Sequence, residues 1–489
     1  MNNLREKASK RLNLIKHLAS TRLGAGKRPF RQLYLGYVRS AIDYALPLQE
    51  IATQQAKDPV DRVQNQAVKL ICGGMRSTPI AACEIDANIE PLDLRRKRSV
   101  LQGVERYRRF EESHPNRKLI DSWIPKRRLK QESLLDTATK LEDIHHLPTN
   151  RLPMNKISEI APWTKLESPI IKTSLLDPSL NKSSDQNILK LNSLETIDSY
   201  PTTSIHAYTD GSAFKGTTFA GFGVFLKFPD GNHFEFNDAC GTFCSNYEAE
   251  ISAIKAAVEI THQSFELNER PPSNMVIFTD SKSTLQALSE TTSNLDPNIF
   301  SLAKTIDSFL SSYDVELTLQ WIPGHCGIQG NETADRLAKR GTQKEHPEKP
   351  CSMPTTNQIL KNNFKEEWLN RWSVGTTGRV MFRNMTKPLK NDPLNNLSRA
   401  DQCNIFQFRT GHCKLNSHIN RFNPFHPPQC RRCIHPYETV HHVLIDCQAM
   451  KETRKALLPP VPSIDNTLYG QAKQLQKTSQ FIRMFLLDI

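Results

Sequence analysis

Four acidic residues stand at positions from which a fold could bring their carboxylates together. Asp210 and Asp280 each end a short apolar run, in TDGS and TDSKS, whereas Glu250 and Asp335 lie in segments with helical periodicity. Two aspartates at the ends of neighbouring strands would lie side by side at one edge of the sheet, and helices packed on the sheet can supply the other two acids. Like charges this close raise one another's pKa unless cations neutralise them, and oxygen ligands suit hard ions such as Mg²⁺ or Mn²⁺. The pattern therefore predicts a divalent-metal site.

A second group of metal-ligand residue types has the spacing C-x₂-C-x₈-H-x₄-C, and its members are Cys430, Cys433, His442 and Cys447. Three thiolates and one neutral imidazole are a ligand set that binds Zn²⁺ tetrahedrally, and a two-residue gap lets paired cysteines hold one ion from a single turn. His441 or His435 could replace His442. The alternative is a cysteine-bearing helical hairpin without a metal.

The elements that must position the acids follow from the hydrophobic patterning after Ser204. IHAYTDGS, AGFGVFLKF and HFEFNDACG are typical of three strands of an antiparallel meander separated by glycine-containing turns. YEAEISAIKAAVEI then predicts a helix with Ile251, Ile254 and Val258 on one face. NMVIFTD and VELTLQWI predict two further strands that can be parallel, because helices separate them. The expected fold class is α/β, with a mixed five-stranded sheet flanked by helices.

TDGS, NYEAEISA, TDSKS and PGHCGIQGNETAD resemble, in this order, the motifs of the type 1 ribonuclease H family, over residues 203–345. The resemblance implies that the four acids hold two Mg²⁺ (or Mn²⁺) ions, and that His325 is the mobile-loop histidine that assists proton movement or product release. It also implies hydrolysis of the RNA strand of an RNA/DNA hybrid, which leaves 5′-phosphate and 3′-hydroxyl ends. One cation would lower the pKa of the attacking water, and the other would stabilise the departing 3′ oxygen.

Selection for RNA depends on contacts to the 2′-hydroxyl, and the candidates are the backbone near Gly211 and Ser212 together with Asn246. Glu248 also lies in the motif that opens the helix. Residues two apart on a helix point about 200° apart, so Glu248 and Glu250 cannot both face one site. The family pattern selects Glu250, and Glu248 is expected to be solvated.

Residues 1–130 are predicted to be a basic helical segment, since they contain 27 lysines and arginines against 13 acidic residues, a net charge of +14. YLGYVRSAIDYALP, VQNQAVKLICGGMRSTPI and IEPLDLRRKRSVLQ resemble the region after the palm of reverse transcriptases from non-LTR retrotransposons. No Asp-Asp pair occurs in the chain, so the polymerase signature is absent. The chain thus resembles a carboxy-terminal fragment of a retroelement polyprotein. An unrelated basic bundle is the alternative, and RRKR at 95–98 is either a phosphate-binding or nuclear-import patch or a solvated face.

The rest of the chain is divided into a polar linker at 131–202, rich in Pro, Ser, Thr and Asn, and a helical tail at 346–489 that contains the Cys/His cluster. No apolar run of about 18 residues occurs, which favours a soluble intracellular protein, in cytoplasm or nucleus, with reduced thiols and no membrane partner.

The sequence predicts a ribonuclease H enzyme that acts on nucleic acid, with a basic arm and a small zinc-binding tail. The principal alternative is a catalytically silent nucleic-acid-binding remnant of a retroelement. A nuclease of the same superfamily that acts on DNA and an inert translated relic are further alternatives.

Overall fold

The computed structural model describes residues 1–19, 24–124, 132–154, 166–181, 184–266, 272–290 and 296–486. The chain divides into two compact units. The helical unit comprises Met1–Val104, Ser122–His145 and Leu360–Ile489, and the sheet unit comprises Glu105–Asp121 and His146–Ile359.

Helices make up most of the chain. The first ten are α1 Asn2–Lys16, α2 Lys27–Leu33, α3 Ser40–Asp43, α4 Leu46–Glu50, α5 Gln54–Cys72, α6 Ile80–Ala87, α7 Leu92–Arg108, α8 Pro115–Asp121, α9 Leu134–His145 and α10 Gln186–Asp198. The next four are α11 Asn246–Glu266, α12 Lys282–Ser289, α13 Pro297–Ser312 and α14 Gln329–Gly341. The last seven are α15 Met353–Val374, α16 Arg379–Phe382, α17 Arg399–Thr410, α18 Asn416–Asn420, α19 Lys451–Leu457, α20 Ile464–Leu468 and α21 Ala472–Leu486. Short π-helical turns cover Tyr34–Arg39 and His442–Asp446, and 3-10 turns cover Pro393–Asn396 and Gln448–Met450. None of the described helices is long and apolar enough to cross a bilayer.

One mixed sheet forms the centre of the sheet unit, and its strands are β1 Ile170–Lys172, β2 Ile205–Phe214, β3 Thr218–Lys227, β4 His233–Phe243, β5 Asn274–Thr279 and β6 Glu316–Trp321. Their order across the sheet is β1-β6-β5-β2-β3-β4. The predicted antiparallel meander is confirmed in β2, β3 and β4, and β5 and β6 are parallel to β2, as expected. The prediction of five strands is wrong by one, because β1 pairs with β6 at the edge of the sheet. A three-residue strand is too short to show alternation in the sequence.

The prediction of a linker at 131–202 is also wrong where the structure describes it, since this stretch contains α9, β1 and α10. The α10 helix begins at a cap in which the Asp185 side chain accepts hydrogen bonds from the backbone of Asn187 and Ile188. Leu189 and Ile197 of α10 are buried in the core of the sheet unit. Polar composition concealed these elements because few of their side chains reach the core. Residues 131, 155–165 and 182–183 of the predicted linker lie outside the described residues.

Two glycines on β3 set the distance between the sheet and α14. A Cβ atom on Gly223 would lie 2.3 Å from the carbonyl oxygen of Ala334, and one on Gly221 would lie 2.3 Å from the carbonyl carbon of Gly341. The helix can approach β3 this closely only because both positions lack side chains. The same contact fixes which residues of α14, Asp335 among them, lie over the sheet.

The helical unit joins the two ends of the chain, which the sequence analysis treated as separate segments. Its N-terminal part is helical, as predicted. Lys27 donates to Asp86 at 3.2 Å and to Asp392 at 3.0 Å, and Arg409 pairs with Asp392 at 3.1 Å. All four side chains are buried. Because a buried charge is stable only when it is paired, this network holds residues before 105 against residues after 359.

We expect Asp392→Ala to destabilise the helical unit by about 3–5 kcal/mol, because it leaves the buried cations Lys27 and Arg409 with Asp86 as their single shared carboxylate. Burial favours the neutral form of Asp392, but Lys27 and Arg409 outweigh burial and lower its pKa to about 2. The stabilisation should therefore be complete above about pH 4 and be lost as the pH falls through 2. Urea unfolding followed by circular dichroism measures both effects. The control is Glu452→Ala, which removes an exposed ion pair with Lys455. Equal unfolding midpoints for the two variants would contradict this role for the network.

Candidate active site

Two of the predicted acids lie on adjacent parallel strands. Asp280 follows the end of β5, whereas the prediction that Asp210 ends its strand is wrong, because β2 continues to Phe214. Thr209 of β2 is paired with Thr279 of β5. Asp210 and Asp280 are the residues that directly follow this pair along the chain. Parallel pairing at this level places both carboxylates at the same edge of the sheet. A Cβ atom on Gly324 would lie 2.1 Å from Oδ2 of Asp280, so the loop after β6 passes directly against that carboxylate.

Helix α11 brings the third acid to this edge. A Cβ atom on Gly211 would lie 2.4 Å from the backbone nitrogen of Glu250, so the helix crosses β2 in contact with its backbone. The carboxylate oxygens of Asp210, Glu250 and Asp280 consequently lie within 4.8 Å of one another. Three segments far apart in the sequence thus contribute to one cluster, as the sequence predicted.

Asp335 lies beside this cluster without joining it. Its carboxylate accepts from Nζ of Lys339 at 2.6 Å, one turn further along α14. Its ligand oxygen lies within 4.8 Å of His325 and Glu332, in a neighbouring group. The carboxylate is nevertheless close enough to raise the pKa of Asp210. The structure therefore divides the four predicted acids into a group of three and a nearby fourth.

The positive charge near Asp210 is too small to keep its carboxyl group ionised at neutral pH. Burial raises its pKa, and Asp280 and then Asp335 raise it further, to about 8, although Lys339 opposes them. A carboxyl with this pKa retains its proton at neutral pH unless a cation takes the place of the proton.

The loop that precedes α14 holds His325 in an unusual backbone conformation. His325 has φ of +57° and is exposed, and Gly327 in the same loop has φ of +74°. The Gly327 nitrogen donates to Glu332 at 3.3 Å, which ties the loop to the first turn of α14. Sequence analysis missed Glu332. Its position three residues before Asp335, on the same face of a helix, was the signal that could have revealed it.

The model of the RNase H family matches residues 202–343. A ribonuclease H from Albidiferax ferrireducens is 26% identical over 151 residues, which cover 29% of this chain and 95% of that protein. Ribonuclease HI from Helicobacter pylori is 26% identical over 144 residues, which cover 29% of this chain and 94% of that protein. The solved structure of RNase H1 from Halobacterium salinarum is 23% identical, with a TM-score of 0.24, and the match covers 29% of this chain and 98% of that chain.

Residues 202–343 form an RNase H domain. The chain thus carries a hydrolase of the ribonuclease H type, as the motifs predicted. The matched residues include the three clustered carboxylates, Asp335 and His325.

The residues predicted to contact substrate lie at the start of α11 and on β2. Gly211 and Ser212 follow Asp210 in the strand and are partly exposed. Asn246 is exposed, and its backbone nitrogen donates to Gly216 at 3.3 Å. These three residues of the RNase H domain are therefore accessible from solvent beside the carboxylates.

The expectation that Glu248 is solvated is wrong. Its carboxylate accepts from the nitrogen of Ser245 at 2.8 Å and from the hydroxyl of Thr355 at 2.7 Å, and the Ser245 hydroxyl accepts from the nitrogen of Glu248 at 3.2 Å. This reciprocal pairing is a capping box at the start of α11. Glu248 therefore fixes the beginning of the helix that carries Glu250.

The predicted Cys/His cluster is present in the helical unit, and its ligand atoms lie within 4.8 Å of one another. The Sγ atom of Cys447 lies 4.0 Å from that of Cys430 and 3.9 Å from that of Cys433, and Nε2 of His442 lies 3.3 Å from Sγ of Cys433. Four ligands at the corners of a tetrahedron with zinc–sulfur bonds of about 2.3 Å have sulfurs about 3.8 Å apart. The separations are far longer than a disulfide bond.

Neighbouring residues distinguish the three candidate histidines and order the cysteine loop. His441 is exposed and pairs with Asp446, and the His435 ring stacks on that of His442, so only His442 belongs to the cluster. The fully buried carboxylate of Glu438 accepts from the backbone nitrogen and the guanidinium of Arg431, which lies between the first two cysteines.

The raised pKa of Asp210 gives the RNase H domain a pH-dependent stability. A folded pKa of about 8 exceeds the usual value near 4, so the stabilisation from the protonated carboxyl is complete below about pH 4 and is lost as the pH rises through 8. Without divalent cations, thermal unfolding of the domain should occur at a lower temperature at pH 9 than at pH 5. We expect Asp210→Asn to reduce this difference and Asp314→Asn, at an exposed position, to leave it unchanged. The same pH profile for both variants would show that Asp210 does not carry this proton.

Proposed function

We propose that the chain is a metal-dependent endoribonuclease that cleaves the RNA strand of RNA/DNA hybrids and leaves 5′-phosphate and 3′-hydroxyl ends. The observation that carries the proposal is the cluster of Asp210, Glu250 and Asp280, whose oxygens lie within 4.8 Å of one another inside an RNase H domain. Buried carboxylates repel one another, so an arrangement that concentrates them needs a cationic ligand.

The residues present fit Mg²⁺ or Mn²⁺, two ions per site. All the donors are carboxylate oxygens, which these hard ions prefer. Burial and the carboxylates of Asp280 and Asp335 raise the pKa of Asp210, so a cation bound there would take the place of its proton. When bound, such cations supply Lewis-acid activation of the attacking water and stabilise charge on the leaving 3′ oxygen.

The residues around the cluster have distinct proposed roles. Asp210, Glu250 and Asp280 hold the cations and give up the proton of Asp210 when they do so. Asp335, whose carboxylate pairs with Lys339, would complete the ligand set. His325, on the exposed loop that contacts Asp280 through Gly324, holds or moves a proton near the scissile phosphate or assists product release.

Selection for RNA is assigned to the exposed surface beside the acids. The backbone at Gly211 and Ser212 and the amide side chain of Asn246 offer donors and acceptors for a 2′-hydroxyl, which is the group that separates RNA from DNA. The steric contact between Gly211 and α11 means that any change there also moves Glu250.

Cleavage of an end-labelled RNA/DNA hybrid in Mg²⁺ tests the activity. Loss of a ligand removes several kcal/mol of transition-state stabilisation, so Asp210→Asn and Asp280→Asn should each lower kcat by about 10²–10³-fold or more. Asp314→Asn, an exposed change in the same domain, should cleave like the natural chain. A labelled DNA duplex should remain intact.

The alternative is a catalytically silent protein that only binds nucleic acid, and the same assay distinguishes it. If the natural chain and both variants leave the RNA strand equally intact while the hybrid is still bound, the enzymatic proposal fails. Cleavage of the DNA duplex would instead indicate a nuclease that acts on DNA.

The Cys/His cluster is proposed to bind one Zn²⁺. Support comes from the sulfur separations near those of a tetrahedral zinc site and from the exclusion of a disulfide by distance. Burial raises the pKa of the Cys447 thiol to about 12, with Cys430 and Cys433 adding to the effect, so thiolates form there only with a bound cation.

Zinc content measured by plasma emission should be one equivalent per chain and should fall to zero in Cys430→Ser/Cys433→Ser. Cys413→Ser is the control, since Cys413 is buried in the same core but lies outside the cluster. Unchanged zinc in the first variant would reject this ligand assignment.

An origin as a carboxy-terminal fragment of a retroelement polyprotein is proposed from the resemblance of residues 1–130 and of the tail to such proteins. The larger part of each segment, Met1–Val104 and Leu360–Ile489, belongs to one compact unit, which is consistent with the two having been retained together.

A further inference from the structure

A concave surface in the helical unit has an excess of positive charge that the described chain does not neutralise. The cavity has a volume of about 480 Å³, and the charged side chains that line it are Lys16, Lys69, Arg76 and Arg399. Among the described residues no aspartate or glutamate lines it, and Gln66 and Gln407 supply its amides. We call this surface the basic cavity.

The charges of the basic cavity differ from those elsewhere in the same unit. The buried cations Lys27, Arg96 and Arg409 each have a carboxylate within 3.2 Å. By contrast, none of the four cations of the basic cavity has a carboxylate partner within the part of the chain that the structure describes. The backbone carbonyls at the C-terminal end of α5 carry a partial negative charge, but this neutralises only about half of one positive charge in the cavity.

Arg399 provides the second, independent observation. Its side chain is 4% exposed and donates to the carbonyl oxygens of Ile71 and Leu70, which orients the guanidinium. Its Nε atom is buried and has no hydrogen-bond partner among the described residues. The guanidinium therefore carries a buried charge that no described carboxylate neutralises, and an anion in the cavity would lower the cost of burying it.

A pair of histidines is connected to the edge of the basic cavity through Ser77. The hydroxyl of Ser77, next to Arg76, lies 3.0 Å from Nε2 of His418 and 3.2 Å from Nδ1 of His412. Burial, and then the positive charges of His418, Arg421 and Lys69, lower the pKa of His412 to about 4. Lys69 of the basic cavity is therefore among the groups that keep this imidazole neutral.

We propose that the basic cavity binds the phosphate backbone of a nucleic-acid strand. Arg399 forms the floor, Lys69 and Arg76 form the accessible wall, and the amides of Gln66 and Gln407 face the sugars or bases. The RNase H domain carries 10 basic and 18 acidic residues over 203–345, a net of −8, so it contributes little long-range attraction to a polyanion. This binding proposal does not depend on the proposed cleavage activity, so each of the two can fail without the other.

Fluorescence anisotropy of a labelled RNA/DNA hybrid, measured at several salt concentrations, tests the assignment. The full chain carries Asp210→Asn so that the probe stays intact. Lys69→Ala/Arg76→Ala should weaken binding about tenfold and make the plot of log K against log salt less steep by about 2, one unit for each lost phosphate contact. Lys69→Arg/Arg76→Lys, which keeps both charges, should bind as before.

The matched control is Lys473→Ala/Lys477→Ala, which removes the same charge from exposed positions on α21. Equal Kd values and salt slopes for the two alanine pairs would overturn the proposal. Inorganic pyrophosphate and a polyglutamate peptide are the competing probes. If binding of either one, but not binding of the hybrid, depends on Lys69 and Arg76, the cavity holds a free phosphate or an acidic protein and the assignment to nucleic acid is wrong.

Discussion

Mutual repulsion among Asp210, Glu250 and Asp280 is the interaction around which the sheet unit is built. Parallel pairing of β2 with β5 fixes the two aspartates, and the absence of a side chain at Gly211 lets α11 bring the glutamate against them. The capping box at Glu248 fixes where that helix begins, and hence which of its faces meets the strand. Packing in the domain thus holds like charges together, and the burial of Asp210 beside Asp280 and Asp335 raises its pKa.

The helical unit differs from the sheet unit because its excess charge is positive. Where segments from the two ends of the chain meet, buried cations are matched by Asp86 and Asp392, and the resulting network stabilises the unit. In the basic cavity the cations are left unmatched. The contrast separates the charges that hold the unit together from those available to a polyanionic partner.

Sequence reasoning succeeded where chemistry and periodicity coincide. The meander, the parallel strands and the Cys/His group that contains His442 were predictable from local pattern or short spacing, and the three clustered acids were predictable from the ordered motifs that contain them. It failed for β1 and α10, where polar residues surround a few core positions such as Leu189 and Ile197. Glu248 was misjudged because its capping box with Ser245, an S-x-x-E pattern visible in the sequence, was overlooked, and because its other partner Thr355 is 107 residues away. The assembly of the two chain ends depends on pairs such as Lys27 and Asp392 that no local pattern reveals.

Titration of the full chain with Mn²⁺, followed by electron paramagnetic resonance of the free ion, tests the claim on which the account depends. The natural chain should bind two ions and release protons at neutral pH, as Asp210 loses its own. Glu250→Gln should lose that binding, whereas Glu248→Gln, only two residues away in the same helix, should keep it. If both variants bind Mn²⁺ as the natural chain does, the three carboxylates do not form a metal site.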